Sequence, residues 1–383
     1  EFDVTRNTIA TEVDKDGIIR VVQPNIARID YSEDAEGSLL LEPQSTNLCI
    51  YSEDLTNGVW SKTRTNILSN EVEFLNGNLS DIIIPDSNNN SHRCDLLLNV
   101  PTGTLHTFSV FAKPMGYNAI SLTIGDTAIG GNYASFDLIN GVTQFFGSVT
   151  SSKIEYLKDG WYRCSVTMQS LGNTGRCNIG INHIYNNNGA YIGDLTSGVA
   201  ITGAQVEEQP YATSYIPTNG TTVTRNADTV SKTGLGNYIN DNEGVVFVEF
   251  KTNAINKIHN IIELASGNVS NSVYIQINNS NQIRFEVLAS GTTKRYIHNP
   301  IIDLTVFNKV ALVYKKDNTA TAYINGLSFN IPYAAGSNSP VVGLNSIYLG
   351  IYYGLLKYEG KIKQMKNYNR ILTDQELITL TTL

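Results

Sequence analysis

Apolar residues in this chain recur at every second position in segment after segment. Residues 107–113 (TFSVFAK) alternate cleanly, as do residues 161–168 (WYRCSVTM). Val273, Ile275 and Ile277 alternate with Tyr274, Gln276 and Asn278. A period of two places one set of side chains on each side of a strand, so these segments predict half-buried strands. The last of them predicts a sheet with one buried and one wet face. Residues 309–314 (KVALVY), 322–326 (AYING) and 346–350 (SIYLG) add further strands, with others at 245–250 and 283–288. Asn325-Gly326 accepts the positive φ angles of a tight hairpin turn. Near the end, Thr373 and Glu376 have capping-box spacing, which predicts a short helix. Few other helical runs appear, and the expected fold class is all-β.

A chain of 383 residues exceeds one typical core and predicts two or three domains. Residues 1–47 hold too few apolar positions for a core and read as an extended leader or linker. Residues 48–232 and 233–383 read as two modules, with a joint near residues 235–238. Val4-Thr5-Arg6-Asn7 recurs as Val223-Thr224-Arg225-Asn226. The echo marks either two equivalent linker strands or coincidence.

Charged residues make up 16% of the chain, and Tyr outnumbers Phe by 21 to 12. Asn, Gly, Thr and Ser are plentiful, which suits turns and strand faces. Net charge is −8 without a basic run, which argues against nucleic acid as a partner. No stretch approaches the roughly 20 apolar residues of a membrane-spanning helix, so membrane insertion is not expected. No signal peptide is visible, and the Glu-Phe start suggests a fragment or processed form. Cys49, Cys94, Cys164 and Cys177 read as buried free thiols, with a Cys164–Cys177 bridge as the alternative. The histidines lack metal-binding spacing.

Three segments carry family resemblances. Residues 26–60 (IARIDY…SLLLEPQSTNL…YSEDL…W) resemble a segment of bacteriophage tail-fibre and tail-spike proteins. The strings FSVFAK, DGWYRCSVT and GAQVEEQPYATSYIPT resemble jelly-roll carbohydrate-binding modules. YING, YLGIYYG and YEGKIKQMKNYNRILTDQEL, within residues 240–383, resemble laminin-G and concanavalin A-like lectin domains. Together they imply two antiparallel β-sandwiches in series, a jelly roll and then a concanavalin A/laminin-G-like module. They further imply a non-catalytic, receptor-binding part of a tail fibre, located on the virion or extracellularly. The implied partners are a cell-surface glycan and other tail subunits, and the implied assembly is a homotrimer. A structural adaptor without a glycan ligand and a sandwich-type polysaccharide-degrading enzyme are the competing readings.

The chemistry legible in the residues favours binding. Retaining glycosidases need two carboxyls about 5 Å apart, and no E-x-D-x-x-E string occurs. Glu249 and Glu263 each stand among apolar neighbours. Sugars present apolar C–H faces for aromatic rings and hydroxyls for amides and charged groups. Tyr352 and Tyr353, between glycines after a strand, are candidate sugar contacts or packed loop anchors. Tyr185 and Tyr191 flank an Asn-rich turn and either rim a polar pocket or brace the turn. Arg295 and Tyr296, beside Lys294 and His298, either meet an acidic polysaccharide or form a solvated hairpin edge. Trp60 and Trp161 read as core. No cofactor is expected, apart from a structural calcium that Asp86 and its Asn-rich loop are equipped to ligate.

Overall fold

The computed structural model describes residues 2–98, 100–126, 131–170, 176–182, 185–186, 189–267, 270–315, 319–331, 341–352 and 356–383. For residues 125–126, 294–301, 351–352 and 356–357 the description is limited to the backbone. The period-two segments become strands that pair antiparallel, and the fold is nearly all β. Asn325 (φ 49°) and Gly326 (φ 83°) form the two-residue turn between Ala320–Ile324 and Leu327–Asn330. Among the described residues the one helix is Asp374–Thr381. It opens with the capping box: the Thr373 hydroxyl accepts from Glu376 N, and the Glu376 carboxylate accepts from Thr373 N at 2.6 Å.

Two compact units share the chain. A central unit takes residues 10–21 and 45–225, and a C-terminal unit takes 1–9, 22–44 and 226–383. In the central unit one six-stranded sheet runs Val142–Phe145, Ala134–Asp137, Ala119–Asp126, Arg176–Asn182, His92–Leu97, Trp60–Thr63. Its partner runs Val149–Tyr156, Tyr162–Gln169, Leu105–Met115, Gly198–Glu207, Leu79–Pro85, Thr65–Glu73. Ile120, Leu122, Ile179 and Ile181 of the first meet Phe108, Val110, Val166 and Val206 of the second in one core. All four cysteines lie in this core as free thiols, and Cys164 and Cys177 belong to opposite sheets. The outer side of the second sheet is closed by Ile19, Phe74, Leu75, Trp161 and Tyr215. Both tryptophans are buried.

The C-terminal unit packs two seven-stranded sheets. The first runs Asp3–Thr5, Thr229–Lys232, Ser346–Leu349, His259–Ala265, Ser272–Ile277, Gln282–Ala289, Thr292–Ile301. The second runs Leu327–Asn330, Ala320–Ile324, Asn308–Lys315, Glu243–Thr252, Gly360–Tyr368, Ser38–Leu41, Ile29–Asp30. Val248, Phe250, Val310 and Leu312 meet Ile262, Leu264, Ile275 and Phe285 in its core. Leu377 of the helix covers Val245, Phe247, Ala311 and Tyr323 on the outer side of the second sheet.

Residues 1–47 are not a leader. Asp3–Thr5 pairs with Thr229–Lys232, Ser38–Leu41 pairs with Gly360–Tyr368, and Leu41 enters the core. Ala10–Val13 and Ile19–Val22 form a hairpin. The segment is poor in apolar residues because ions help to anchor it. Arg6 Nη1 meets Asp228 Oδ1 at 2.9 Å, Arg28 Nη1 meets Glu42 Oε2 at 2.7 Å, and Arg28 Nη2 pairs with Asp228 Oδ2. All four side chains are buried, and Arg6 also donates to the carbonyls of Thr8, Gln23 and Ile26. Such a cluster is tolerated because each charge is paired and Arg6 has further carbonyl acceptors. The boundary between the large segments lies at Arg225/Asn226, ahead of residue 232.

Candidate polar faces for ligand binding

In each unit one sheet turns a polar face outward. In the C-terminal unit the odd and even positions of neighbouring strands are aligned by register. Ile262, Leu264, Val273, Ile275, Phe285 and Val287 point into the core. The residues between them form a cross-strand row on the opposite face. Tyr348 lies opposite Ser231 and Glu263, Glu263 opposite Tyr274, Tyr274 opposite Glu286, and Glu286 opposite Tyr296. Asn260, Gln276, Arg284 and His298 form the adjacent row.

This face is not wet, as the alternation of residues 273–278 predicted. Glu263 is 1% exposed, and Tyr274, Gln276 and Glu286 are each 3% exposed. The Arg284 guanidinium lies 5.6 Å from the centre of the Tyr274 ring, donates to Gln276 Oε1 at 3.3 Å and pairs with Glu286 Oε2. Thr293 Oγ1 donates to Glu286 Oε1 at 2.5 Å. Glu263 has no such cation. Its Oε1 is buried without a hydrogen-bond partner. Burial pushes the Glu263 carboxyl up to about 8, because the charged form would lose its hydration. At neutral pH the face therefore holds one neutral acid and one ion-paired carboxylate. Tyr348 is half-buried and the Arg284 side chain is 30% exposed, so these two form its accessible rim.

In the central unit the outward row of the first sheet is Thr123, Asn178, Asp95, Ser61. The next row is Gln144, Ser135, Ser121, Gly180, Arg93, Thr63. Arg93 Nε donates to Asp95 Oδ2 at 2.9 Å, and Thr63 Oγ1 donates to the same oxygen at 3.3 Å.

The sequence candidates distribute as follows. The register places Tyr296 at the end of the Glu263 row, with Arg295 opposite Val287. Both belong to the edge strand of that sheet. Tyr352 lies in the two-residue strand Ile351–Tyr352, which pairs with Leu356–Lys357. Tyr353 and the side chains of Arg295, Tyr296 and Tyr352 lie outside the described residues. Tyr185 is half-buried, and its neighbour Asn186 donates to Ser135 Oγ and Gln144 Oε1, which docks this loop on the polar face of the central unit. Tyr191 is a brace. Its hydroxyl donates to Ile181 O at 2.7 Å, its ring packs 4.5 Å from His92, and burial pushes its hydroxyl well above the ordinary range. Asp86 is engaged by its own loop, accepting from Asn88 N and Nδ2, and the Asn88 backbone N–H holds its carboxyl below the usual range. Among the described residues no three His, Cys, Asp or Glu side chains gather around one point that would hold a metal ion.

Glu263 is not isolated, as its apolar neighbours in sequence suggested. Its acidic counterpart Glu286 stands two strands away. The alternation of Gln282, Arg284 and Glu286 with Ile283, Phe285 and Val287 was visible, but the register that lines them up with Glu263 was not.

Residues 245–378 match the laminin-G-type family described as the concanavalin A-like lectin/glucanases superfamily. This stretch supplies most strands of the C-terminal sandwich, which is similar to that family over these residues. No curated protein matches the chain in sequence. Solved structures similar to parts of the chain include the CBM40 module of a Ruminococcus gnavus IT-sialidase bound to α2,3-sialyllactose. It is 23% identical over 37% of this chain and 84% of that one, with a TM-score of 0.32. Domain 4 of an extracellular GH43 arabinanase from Geobacillus stearothermophilus, in complex with arabinotriose, is 15% identical over 41% and 73%, with a TM-score of 0.33. A heptameric SAP-like pentraxin from Limulus polyphemus is 16% identical over 39% and 80%, with a TM-score of 0.31.

Proposed function

We propose that this chain binds carbohydrate without transforming it, through the polar face of the C-terminal sandwich. The observation that carries the reading is the cross-strand row of Tyr348, Glu263, Tyr274 and Glu286 with Arg284 beside it. Tyr348 offers a ring for C–H stacking and Arg284 a guanidinium for hydroxyls, and the buried Glu263, Tyr274 and Glu286 pack beneath them. Ligand is received at the rim by Tyr348 and Arg284. The matched superfamily embraces lectins and glucanases alike, so the choice rests on the carboxyls. Glu286 has both oxygens engaged, by Arg284 and Thr293, and Glu263 is protonated at neutral pH. Hydrolysis needs a free carboxylate to activate water or attack the sugar, and neither group offers one.

The tail-fibre-like segment of residues 26–60 supports the finer reading. The chain would then serve as a receptor-binding or adhesion part of a phage tail fibre or similar appendage, on a virion or another extracellular surface. Its partners would be a cell-surface polysaccharide and neighbouring tail subunits. In a homotrimer three weak sites would act together through multivalency.

The test is a glycan array probed with the full chain, followed by titration of a retained glycan. Tyr348→Ala is expected to weaken binding about tenfold or more while leaving the melting temperature within a few degrees, whereas Arg284→Ala weakens binding and also lowers the melting temperature, because it leaves the buried Glu286 carboxylate unpaired. Retention of no glycan, or unchanged affinity in both variants, overturns the site. Release of reducing or unsaturated ends from any polysaccharide overturns the non-catalytic assignment.

A further inference from the structure

Five Asn-Gly pairs lie wholly within the described residues: Asn57-Gly58, Asn76-Gly77, Asn140-Gly141, Asn219-Gly220 and Asn325-Gly326. Such a pair holds a nucleophile beside an electrophile. The glycine nitrogen, which no neighbouring Cβ shields, can attack the asparagine side-chain carbonyl carbon and expel ammonia.

In four of the five the fold blocks the nucleophile. Gly77 N donates to Phe74 O at 3.0 Å, Gly141 N to Asp137 O at 3.0 Å and Gly220 N to Ile50 O at 2.6 Å. Gly326 N donates to Thr381 Oγ1 at 3.3 Å. Each hydrogen bond keeps the proton on nitrogen and fixes the peptide plane. Gly58 is exposed, and among the described residues its N–H has no partner.

The electrophile is set up at the same place. Asn57 Oδ1 accepts from Val59 N at 3.2 Å, which folds the side-chain carbonyl back around the intervening Gly58 nitrogen. That N–H also points at the oxygen on which negative charge develops during attack. The Lys62 ammonium donates to Asn57 O at 2.7 Å and to Thr56 O at 2.9 Å, which puts a positive charge on the same turn. Asn57 N donates to Asp54 Oδ1 at 3.1 Å, and Trp60 N donates to Asn57 O at 3.1 Å, so the turn is held in this shape. Among the described residues nothing ties down the leaving nitrogen, Asn57 Nδ2. By contrast, Asn76 Nδ2 donates to Glu53 Oε1 at 3.2 Å and Asn140 Nδ2 to Asp137 Oδ2 at 2.8 Å.

We infer that Asn57-Gly58 is a self-modification site, where the folded loop selects one asparagine for conversion to aspartate and isoaspartate. Gly58 N gives its proton to water or hydroxide and bonds to Asn57 Cγ. The Cγ–Nδ2 bond breaks, and Nδ2 takes up a proton and departs as ammonia. A cyclic succinimide remains, and water opens it. Cleavage of the bond from Cγ to the Gly58 nitrogen gives aspartate. Cleavage of the bond from the backbone carbonyl carbon to that nitrogen gives isoaspartate, with the chain rerouted through Cγ. Either product adds a negative charge beside Asp54, just ahead of the edge strand Trp60–Thr63. The site makes no use of the C-terminal face.

To test it, the full chain is aged in mildly alkaline buffer and sampled by peptide mass spectrometry, with the aspartate and isoaspartate peptides separated by chromatography. Asn57 is expected to gain about 1 Da at least about tenfold faster than Asn76, Asn140, Asn219 or Asn325. In denaturant the five should react at comparable rates, because the selectivity belongs to the fold. Gly58→Ala tests the free nitrogen without unfolding the chain: the added Cβ meets open space and the backbone there is not left-handed. That variant should keep its melting temperature within a few degrees and convert about tenfold more slowly or less. Equal rates at the five asparagines of the folded chain, an intact Asn57 where another has converted, or an unchanged rate in Gly58→Ala overturns the inference.

Discussion

In the central unit Ile19, Phe74, Leu75 and Trp161 close the outer side of one sheet, and in the C-terminal unit the terminal helix closes part of the corresponding face through Leu377. In both, the other sheet turns polar residues outward. There the two units part. The C-terminal face is built from long side chains, with two carboxyls, two tyrosines and an arginine that pair among themselves and leave Glu263 neutral. The central face is built mostly from shorter ones, with both amide atoms of Asn178 and one carboxylate oxygen of Asp95 unpaired and the other oxygen held by Arg93. One architecture thus carries long, mutually paired side chains on one face and short ones on the other. The strands fix only the positions, and the side-chain lengths decide the chemistry.

The largest effect should come from removing what the two units borrow from the N-terminal segment. A chain starting at Asn226 lacks Ile29–Asp30, Ser38–Leu41 and Asp3–Thr5, and with them Leu41 of the core. It is expected to show no cooperative melt by circular dichroism. A sharp transition would mean that the C-terminal sandwich is self-sufficient. Next, Asp228→Ala takes its carboxylate from the buried Arg6 and leaves Arg28 with Glu42 alone, and should cost about 3–5 kcal/mol in denaturant unfolding. A loss below about 1 kcal/mol would show the cluster to be solvated and weak.

Glu263→Gln sharpens the difference between the two faces. Burial pushes the folded carboxyl up to about 8 from its ordinary value of 4.5. Between those two values the folded state holds a proton that the unfolded chain has released, so folding stability falls as pH rises, by up to about 1.4 kcal/mol per unit. Glutamine does not titrate. The variant should therefore gain on the parent between about pH 4.5 and 8 and hold a constant lead above that window. Parallel pH profiles for the two proteins would place Glu263 in water. The smallest effect is expected at the sealed face. Thr373→Ala removes the cap of the helix and should cost about 1 kcal/mol without changing glycan binding.

Local pattern carried much of this fold. Alternation at residues 107–113, 161–168 and 273–277 marked strands whose apolar sets are core residues, the Asn325-Gly326 turn formed, and Thr373 caps the helix. Each of these depends on neighbours a few residues apart. The failures lie at long range. Arg6 and Asp228 are 222 positions apart, so the leader looked unanchored. For Tyr191 the sequence left a pocket rim and a structural brace open, and the tertiary contacts of its hydroxyl with Ile181 and its ring with His92 make it a brace.

What the sequence determined by itself was the set of strands, their buried sides and the turn and cap residues, because backbone periodicity and local hydrogen bonding act within a few residues. Tertiary structure alone decided which polar side chains became neighbours. Strand order and register bring Glu263 to Tyr274 and Glu286, and Asn178 to Asp95. A shift of one residue in either pairing would turn those groups toward the core.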